Sequence, residues 1–405
     1  AGAWCGQNKY LSAIKNAFQN FMPLTIAGAI GVLWCNVLVN DQTGLGLFFK
    51  PIMALDFLNP AFQAVNFCTI SCITVGITLG IAQEIGVWNM GAERAGYIPG
   101  LVGLAAWLSV TNTSHMVDGA KEAFTGIAGN ELGATGLFTG MIIGVLSVEL
   151  FCFFEKQDAL KIKMPEQVPP GVARAFEVLV PATITLIITA CIGSACYNLT
   201  GLYLNDVIKN GIQGPLGAVG ATIPGVMIIY LVIMLFWLVG IHGNNMLSAV
   251  KEALFTPLAL ENVEAFNKGE TPKNIINMYA LQMWGEFGGS GVTIGLVIAI
   301  MIFGKREDNK AIATLSLVPG LFNINETVTF GIPMVLNPIL GIPFVVAPLV
   351  TIIIGYVLTV IGFCPVACLT VPWTTPPIVF GFLACGANVM GAVTQAILIV
   401  VSTVI

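Results

Sequence analysis

From Ala311 to Ile405 the chain carries one charged side chain, Glu326. A stretch so long and so poor in charge does not fold as a water-soluble domain, where about a quarter of residues are charged. The windows 57–83, 95–117, 178–205 and 210–250 likewise hold no Asp, Glu, Lys or Arg. Each reaches the roughly 20 residues a helix needs to cross the hydrocarbon core of a bilayer. With 56% hydrophobic and 9% charged residues, the solvent for this chain is lipid. Helices fit these lengths; a transmembrane barrel would instead show alternating segments of about ten residues.

The formal net charge of −5 is small for 405 residues, and without a basic run no nucleic-acid partner is expected. The ten cysteines fall mostly inside apolar windows, and His115 and His242 are the only histidines. The cysteines therefore read as small buried hydrophobes, with no disulfide framework, no metal site and no cofactor. His115, near Asp118 in a polar connection, reads as a loop residue. The opening "AGAWCGQNKYLSAIKNAF" lacks the regions of a signal peptide in their usual order, and the chain reads as trimmed at both ends. No Gly-rich Lys loop that would cradle a nucleotide phosphate occurs.

Hydropathy places spans at about 18–39, 61–83, 96–111, 132–153, 176–199 and 218–241. Beyond His242 the texture changes: "GIHGNNMLSAV", "MWGEFGGSGVTIGL" and "LFNINETVTFGIPMVLNPILGIPF" mix Gly, Asn and Pro into apolar sequence. Backbone broken at membrane depth must be buried in protein or line a wet cavity, and interrupted helices are how transporters build midplane sites. The expected division is therefore a first half, 1–205, and a working half, 206–405. Lys156, Lys161, Lys163 and Arg174 follow the span ending near 153, and Lys305, Arg306 and Lys310 follow one ending near 303. Positive loops stay cytoplasmic, which also puts the N-terminus, with Lys9 and Lys15, and the loop 155–175 on that side. The polar connections 115–131 and 261–274 are mixed or acidic, and the rule does not decide them.

A carboxylate at a helix centre costs about 2.5–3.5 kcal/mol on insertion scales, so one kept there faces a cavity or a partner. Glu326, flanked by Asn323, Asn325 and Thr327, is the first site candidate. His242 is the second. A lone histidine in an apolar window is ordinarily a core residue, but "GIHGNN" adds two glycines with unusual backbone freedom and two amides, Asn244 and Asn245, that both donate and accept. Trp284, Glu286 and "GGSG" form a third cluster, and Trp373 in "VPWTTPPIVFG" a fourth. Tryptophan also anchors membrane interfaces, so each ring is open between anchor and ligand stack. Aromatic faces, amides, a histidine and two carboxylates together suit a ligand with many hydroxyls.

Several stretches taken together resemble a known family, the membrane (IIC) component of bacterial phosphoenolpyruvate-dependent sugar phosphotransferase systems, in its lactose, cellobiose and diacetylchitobiose branch. They are "NKYLSAIKNAFQNFMPLTIAGAIG", "KIKMPEQVPPGVARAFEVLVPATIT", "FWLVGIHGNNMLSAV", "FGGSGVTIGL", "LVPGLFNINETVTFGIPMVLNP" and "VPWTTPPIVFGFLACG", spread over nearly the whole chain in family order. The resemblance implies an all-α polytopic membrane protein with about ten transmembrane helices and two re-entrant hairpins. It implies a homodimer in the bacterial plasma membrane, with 1–205 as scaffold and dimerising half and 206–405 as sugar-binding transport half. In such proteins the histidine of "GIHG" and the glutamate of "NINE" meet the sugar hydroxyl to be phosphorylated, and these match His242 and Glu326. The sequence departs at Thr327, where the family commonly has proline, which leaves the geometry of that hairpin open.

The partners so implied are a β-linked disaccharide, of the diacetylchitobiose or cellobiose type, and a phosphorylated IIB protein charged by an upstream IIA. Transfer from a phosphocysteine on IIB needs in-line positioning and a home for the hydroxyl proton. Glu326 is expected to take or orient that proton and His242 to hold the hydroxyl. Asn244, Asn245, Trp284, Glu286, Asn325 and Trp373 are expected to line the sugar site. The rival readings are a proton-coupled sugar symporter with Glu326 as proton carrier, and an intramembrane hydrolase or transferase, for which no nucleophile stands beside the pair.

Overall fold

The computed structural model describes residues 8–41, 45–115, 124–165, 167–215, 220–332, 334 and 337–405. Asp118, Glu166 and Cys5 lie outside the described residues. The described residues are mostly helical, with one departure among them from an all-helical reading: Ser114–His115 pairs antiparallel with Phe124–Thr125.

Among the described residues, four helical runs are long and apolar enough to cross a membrane: Lys9–Leu38, Ala134–Glu155, Pro170–Thr200 and Ile339–Val360. A fifth results if the bent pair Lys50–Ser71 and Ile73–Met90 is counted as one span. Ile98–Val110, Ile223–Leu238, Ile294–Phe303 and Val389–Val404 are apolar but shorter. The first helix begins at Lys9, well before the expected residue 18. Asn8 is the reason: its Oδ1 accepts the N–H groups of Tyr10 and Leu11, both at 3.1 Å, and so satisfies two donors that a helix start leaves unpaired.

Two compact units form. One gathers Gln7–Leu24 with Cys68–Leu216. Its helices Ile73–Met90, Ile98–Val110, Ala134–Glu155 and Pro170–Thr200 approach closely through small residues, as membrane helices do where no hydrophobic force separates helix from lipid. A Cβ on Gly140 would lie 2.2 Å from Thr78 Oγ1, so only glycine fits that crossing. Ala106, Trp107, Val110 and Ile143 form a buried cluster within this unit.

The other unit gathers Thr25–Phe67 with Gly217–Ile405. Here the helices are repeatedly interrupted. Ile223–Leu238 stops short of Gly243–Asn267; Met278–Gly285 is separated from Ile294–Phe303, Glu307–Leu321 from Glu326–Gly331, and Pro338–Val360 from Val379–Ala384. Side chains cap the starts of flanking helices in a medium that offers the backbone no water. Thr222 accepts from Gly225 N at 3.2 Å, Asn277 from Tyr279 N at 3.0 Å, Asn337 from Ile339 N at 3.0 Å and Asn388 from Met390 N at 2.9 Å. The core of this unit centres on Trp237, Ile233, Val297, Val328 and Phe344.

The described cysteines are all free. Cys152, Cys364, Cys368 and Cys385 are buried as expected, but Cys68 and Cys191 are exposed. In a chain whose outer surface faces lipid, an apolar window does not distinguish a buried helix face from an exposed one.

Candidate functional site

The four interruptions in the second unit carry the four clusters singled out in the sequence. Chain reversal there uses backbone that most side chains avoid: Gly240, Gly289, Asn323 and Ile378 have φ of 79°, 93°, 62° and 73°. Non-glycine residues held at positive φ require support from their surroundings, and Asn323 and Ile378 have it. Asn323 Oδ1 accepts the Gly288 N–H at 2.6 Å, and its Nδ2 donates to the carbonyls of Trp373 and Thr375. Buried Gln395 accepts from Ile378 N at 2.7 Å and Gly381 N at 2.8 Å. The "GGSG", "NINE" and "VPWTT" segments are thus tied by one asparagine.

A second asparagine tightens the knot. Asn325, 3% exposed, donates through Nδ2 to the Ser290 carbonyl at 2.7 Å. A Cβ on Gly289 would lie 2.7 Å from the Asn325 side chain, so the loop meets it through bare backbone. Ser290 Oγ in turn accepts from Asn244 Nδ2 at 2.7 Å, which joins the "GIHGNN" segment to the same point.

His242 is the N-cap of the helix Gly243–Asn267, its Nδ1 accepting the Asn245 N–H at 3.2 Å. Because Nδ1 is an acceptor, the neutral ring carries its proton on Nε2. The ring is also braced by Trp237, whose centroid lies 4.5 Å away at 47°. The following residue must be glycine, since a Cβ on Gly243 would fall 2.0 Å from the Ile233 carbonyl oxygen. Nε2 then faces Glu326, 3.8 Å from Oε1. That is too far for a hydrogen bond between the two, and both side chains remain accessible, at 36% and 48% exposure. An oxygen about 2.8 Å from each, the usual hydrogen-bond length, fits between them.

Glu326 opens the short helix Glu326–Gly331. Thr327 therefore sits in its first turn, where an N–H has no partner within the helix and proline is equally well accommodated. Replacing proline by threonine there leaves the turn intact.

The remaining candidates separate. Asn244 faces the knot and Asn245 fixes His242 through its backbone. Trp373 is 43% exposed beside the Asn323 anchor. Trp284 is 1% exposed, its ring against Gly355, where a Cβ would come within 2.4 Å; no face of this ring is open to a ligand. Glu286 is held by Lys251 and accepts from Tyr230 Oη at 2.6 Å. Lys251, 5% exposed, also reaches Asn244 Oδ1 at 3.4 Å, so the ion pair braces the polar knot from behind. Sequence reasoning missed Lys251 and Tyr230, and named Ser290 only as part of the "GGSG" cluster. Lys251 stands just beyond the uncharged window 210–250, and a lysine beside apolar sequence carries the same kind of signal as Glu326. No group of three or more His, Cys, Asp or Glu that could hold a metal occurs among the described residues.

Interrupted helices that bring a histidine, a carboxylate and amides together in an apolar, membrane-embedded chain define a membrane transport protein with a polar ligand site. Residues 15–348 match the family described as Phosphotransferase system, EIIC, and the chain belongs to that family, the sugar-permease component that works with a IIB partner. It is 33% identical to the oligo-beta-mannoside-specific EIIC component of Bacillus subtilis (strain 168), over 98% of this chain and 88% of that protein. It is 30% identical to the cellobiose-specific EIIC component of Lactococcus lactis subsp. lactis (strain IL1403), over 99% and 93%. The fold is similar, with TM-score 0.90 and 29% identity over 99% of this chain and 93% of the other, to the crystal structure of the transporter ChbC, the IIC component from the N,N'-diacetylchitobiose-specific phosphotransferase system.

Proposed function

We propose that this chain imports a β-linked disaccharide of the cellobiose or diacetylchitobiose type and presents one of its hydroxyls for phosphorylation by a phosphorylated IIB protein. The observation that carries this reading is the approach of His242 Nε2 and Glu326 Oε1 to 3.8 Å with both groups accessible. The substrates named for the similar proteins, cellobiose and N,N'-diacetylchitobiose among them, support a β-linked pair of sugars. In this reading residues 1–205 form the scaffold and dimerising half of a homodimer, and 206–405 the transport half. About ten membrane helices and two re-entrant hairpins make up each protomer. The N-terminus and the loop 155–175 face the cytoplasm, where IIB approaches, itself charged by IIA.

The chemistry follows from the donor set. His242 donates from Nε2 to the oxygen of the reacting hydroxyl, and Glu326 accepts its proton as the oxygen attacks phosphorus. The new P–O bond forms as the P–S bond to the IIB cysteine breaks, and the cysteine leaves as a thiolate. Positioning and charge accommodation are most of what phosphoryl transfer asks of a protein. Asn325, Asn244 and Ser290 hold the frame, and Trp373 offers a ring face to the sugar.

Glu326→Gln tests this reading. The amide keeps the shape and can still bind a hydroxyl, but it cannot take a proton at neutral pH. Equilibrium sugar binding should weaken by no more than about tenfold, the worth of one charge-assisted hydrogen bond. Sugar phosphate formation with phosphorylated IIB should fall by at least about 100-fold. Near-normal phosphorylation by this variant would remove Glu326 from the proposed role.

A further inference from the structure

Helix Ala134–Glu155 ends, and helix Pro170–Thr200 begins, beside a cavity of about 720 Å³ lined by Arg94, Lys161, Lys163 and Arg174. Both helices are long and apolar enough to span a bilayer, so a charged cavity at their ends lies where hydrocarbon gives way to headgroups. Sugar transport as proposed makes no use of it.

The cavity is built on a fixed base. Arg94 and Arg174 both bind Glu155 at 2.9 Å, and they reach Glu177 at 3.0 Å and 2.7 Å. Glu155 is only 3% exposed, which locks the two guanidiniums in place. At the rim Lys161, 11% exposed, pairs with Asp158 at 3.0 Å; Asp158 is 81% exposed, and a pair open to water on its carboxylate side contributes little. Lys163 is exposed and makes no ion pair among the described residues. Among the described residues the cavity therefore sets four cations against Glu155, Asp158 and Glu177, a surplus of one, and Lys163 is the cation without an ion pair. Apolar surface continues from it: Ile162 and Pro170 lie in or beside the lining, and Phe153, Phe176 and Leu179 are exposed along the two helices.

We infer that this cavity binds the phosphate headgroup of an anionic phospholipid, with the acyl chains lying against Phe153, Phe176 and Leu179. Basic pockets between membrane helices are suited to such headgroups, and each lysine or arginine near a charged membrane surface contributes a comparable increment. Neither a neutral nor a zwitterionic lipid would match the surplus of positive charge. A soluble anion would make no use of the apolar surface.

The test is retention of phosphatidylglycerol by the purified protein, measured by native mass spectrometry and by the lipid concentration that raises thermal stability. Lys161→Gln/Lys163→Gln should shift that concentration upward about 25-fold, or roughly fivefold per lysine, with the lipid-free melting temperature unchanged. Lys268→Gln/Lys310→Gln, which removes two cations away from this cavity, should leave it unaltered. Phosphatidylcholine should be retained by neither protein. Equal phosphatidylglycerol retention by the Lys161/Lys163 variant would overturn the inference, as would equal retention of phosphatidylcholine by the parent. Full displacement of the lipid by millimolar inorganic phosphate would reassign the cavity to a small anion. A change in oligomeric state of the variant without loss of lipid would reassign it to a second copy of the chain.

Discussion

Trp284 and Trp373 carry the same side chain into opposite surroundings. The sequence offered no way to separate them, because both sit in apolar stretches interrupted by turn-forming residues, Gly285 and "GGSG" after Trp284, Pro372 and "TTPP" around Trp373. Burial decides it. Trp284 is enclosed against Gly355, so Trp284→Ala should cost about 3–5 kcal/mol and appear as lost folded yield in detergent. Trp373 is half-open, so Trp373→Ala should leave the melting temperature unchanged and weaken disaccharide binding roughly five- to thirtyfold, the worth of about 1–2 kcal/mol of apolar burial. Unchanged affinity in the Trp373 variant would make that ring an interfacial anchor. Glu326 was legible in the sequence because its charge stands alone. Glu286 was legible too, but its partner was not: nothing in the spacing of Lys251 and Glu286 announces that they meet.

At the scale of elements, the sequence showed that helices break after residue 242 but not how the breaks fit together. Glycine, asparagine and proline mark an interruption locally. The hydrogen bonds that join the interruptions run between Asn323 and Gly288, Asn323 and Thr375, and Asn325 and Ser290. These partners lie far apart along the chain, and no periodicity encodes them. The early start of the first helix has a related cause: Lys9 pairs with Glu149 and Asn16 with Glu84, long-range partners that a hydropathy window does not show. Gly289 and Gly269 allow the loop packing to be tested apart from backbone strain, since both have positive φ, at 93° and 73°, but only Gly289 has a neighbour a Cβ would strike. Gly269→Ala should cost about 1–2 kcal/mol of left-handed strain and leave sugar affinity unchanged. Gly289→Ala should cost more and weaken binding at least tenfold by displacing Asn325. Equal effects on binding, read by titration alongside thermal melting, would show that the packing of Asn325 on the loop does not shape the site.

At the scale of the whole molecule, the proposed route requires the loop 155–175 to face the cytoplasm. A cysteine engineered at exposed Gln167 should resist an impermeant thiol reagent in intact cells and react, above the background of the native cysteines, once the membrane is opened; reaction in intact cells would invert the topology and the side from which IIB must come. Energy coupling is the central claim. The last 95 residues hold one carboxylate, Glu326, which leaves that stretch without a second acidic group to relay protons, and the chain has no nucleotide-binding loop. The direct measurement is disaccharide accumulation in proteoliposomes with and without phosphorylated IIB on the cytoplasmic face. The protein alone should let sugar equilibrate slowly and never concentrate it, whatever proton or sodium gradient is imposed, and with phosphorylated IIB a sugar phosphate should accumulate inside. Gradient-driven accumulation of unmodified sugar by the isolated protein would contradict this account and make the chain a symporter.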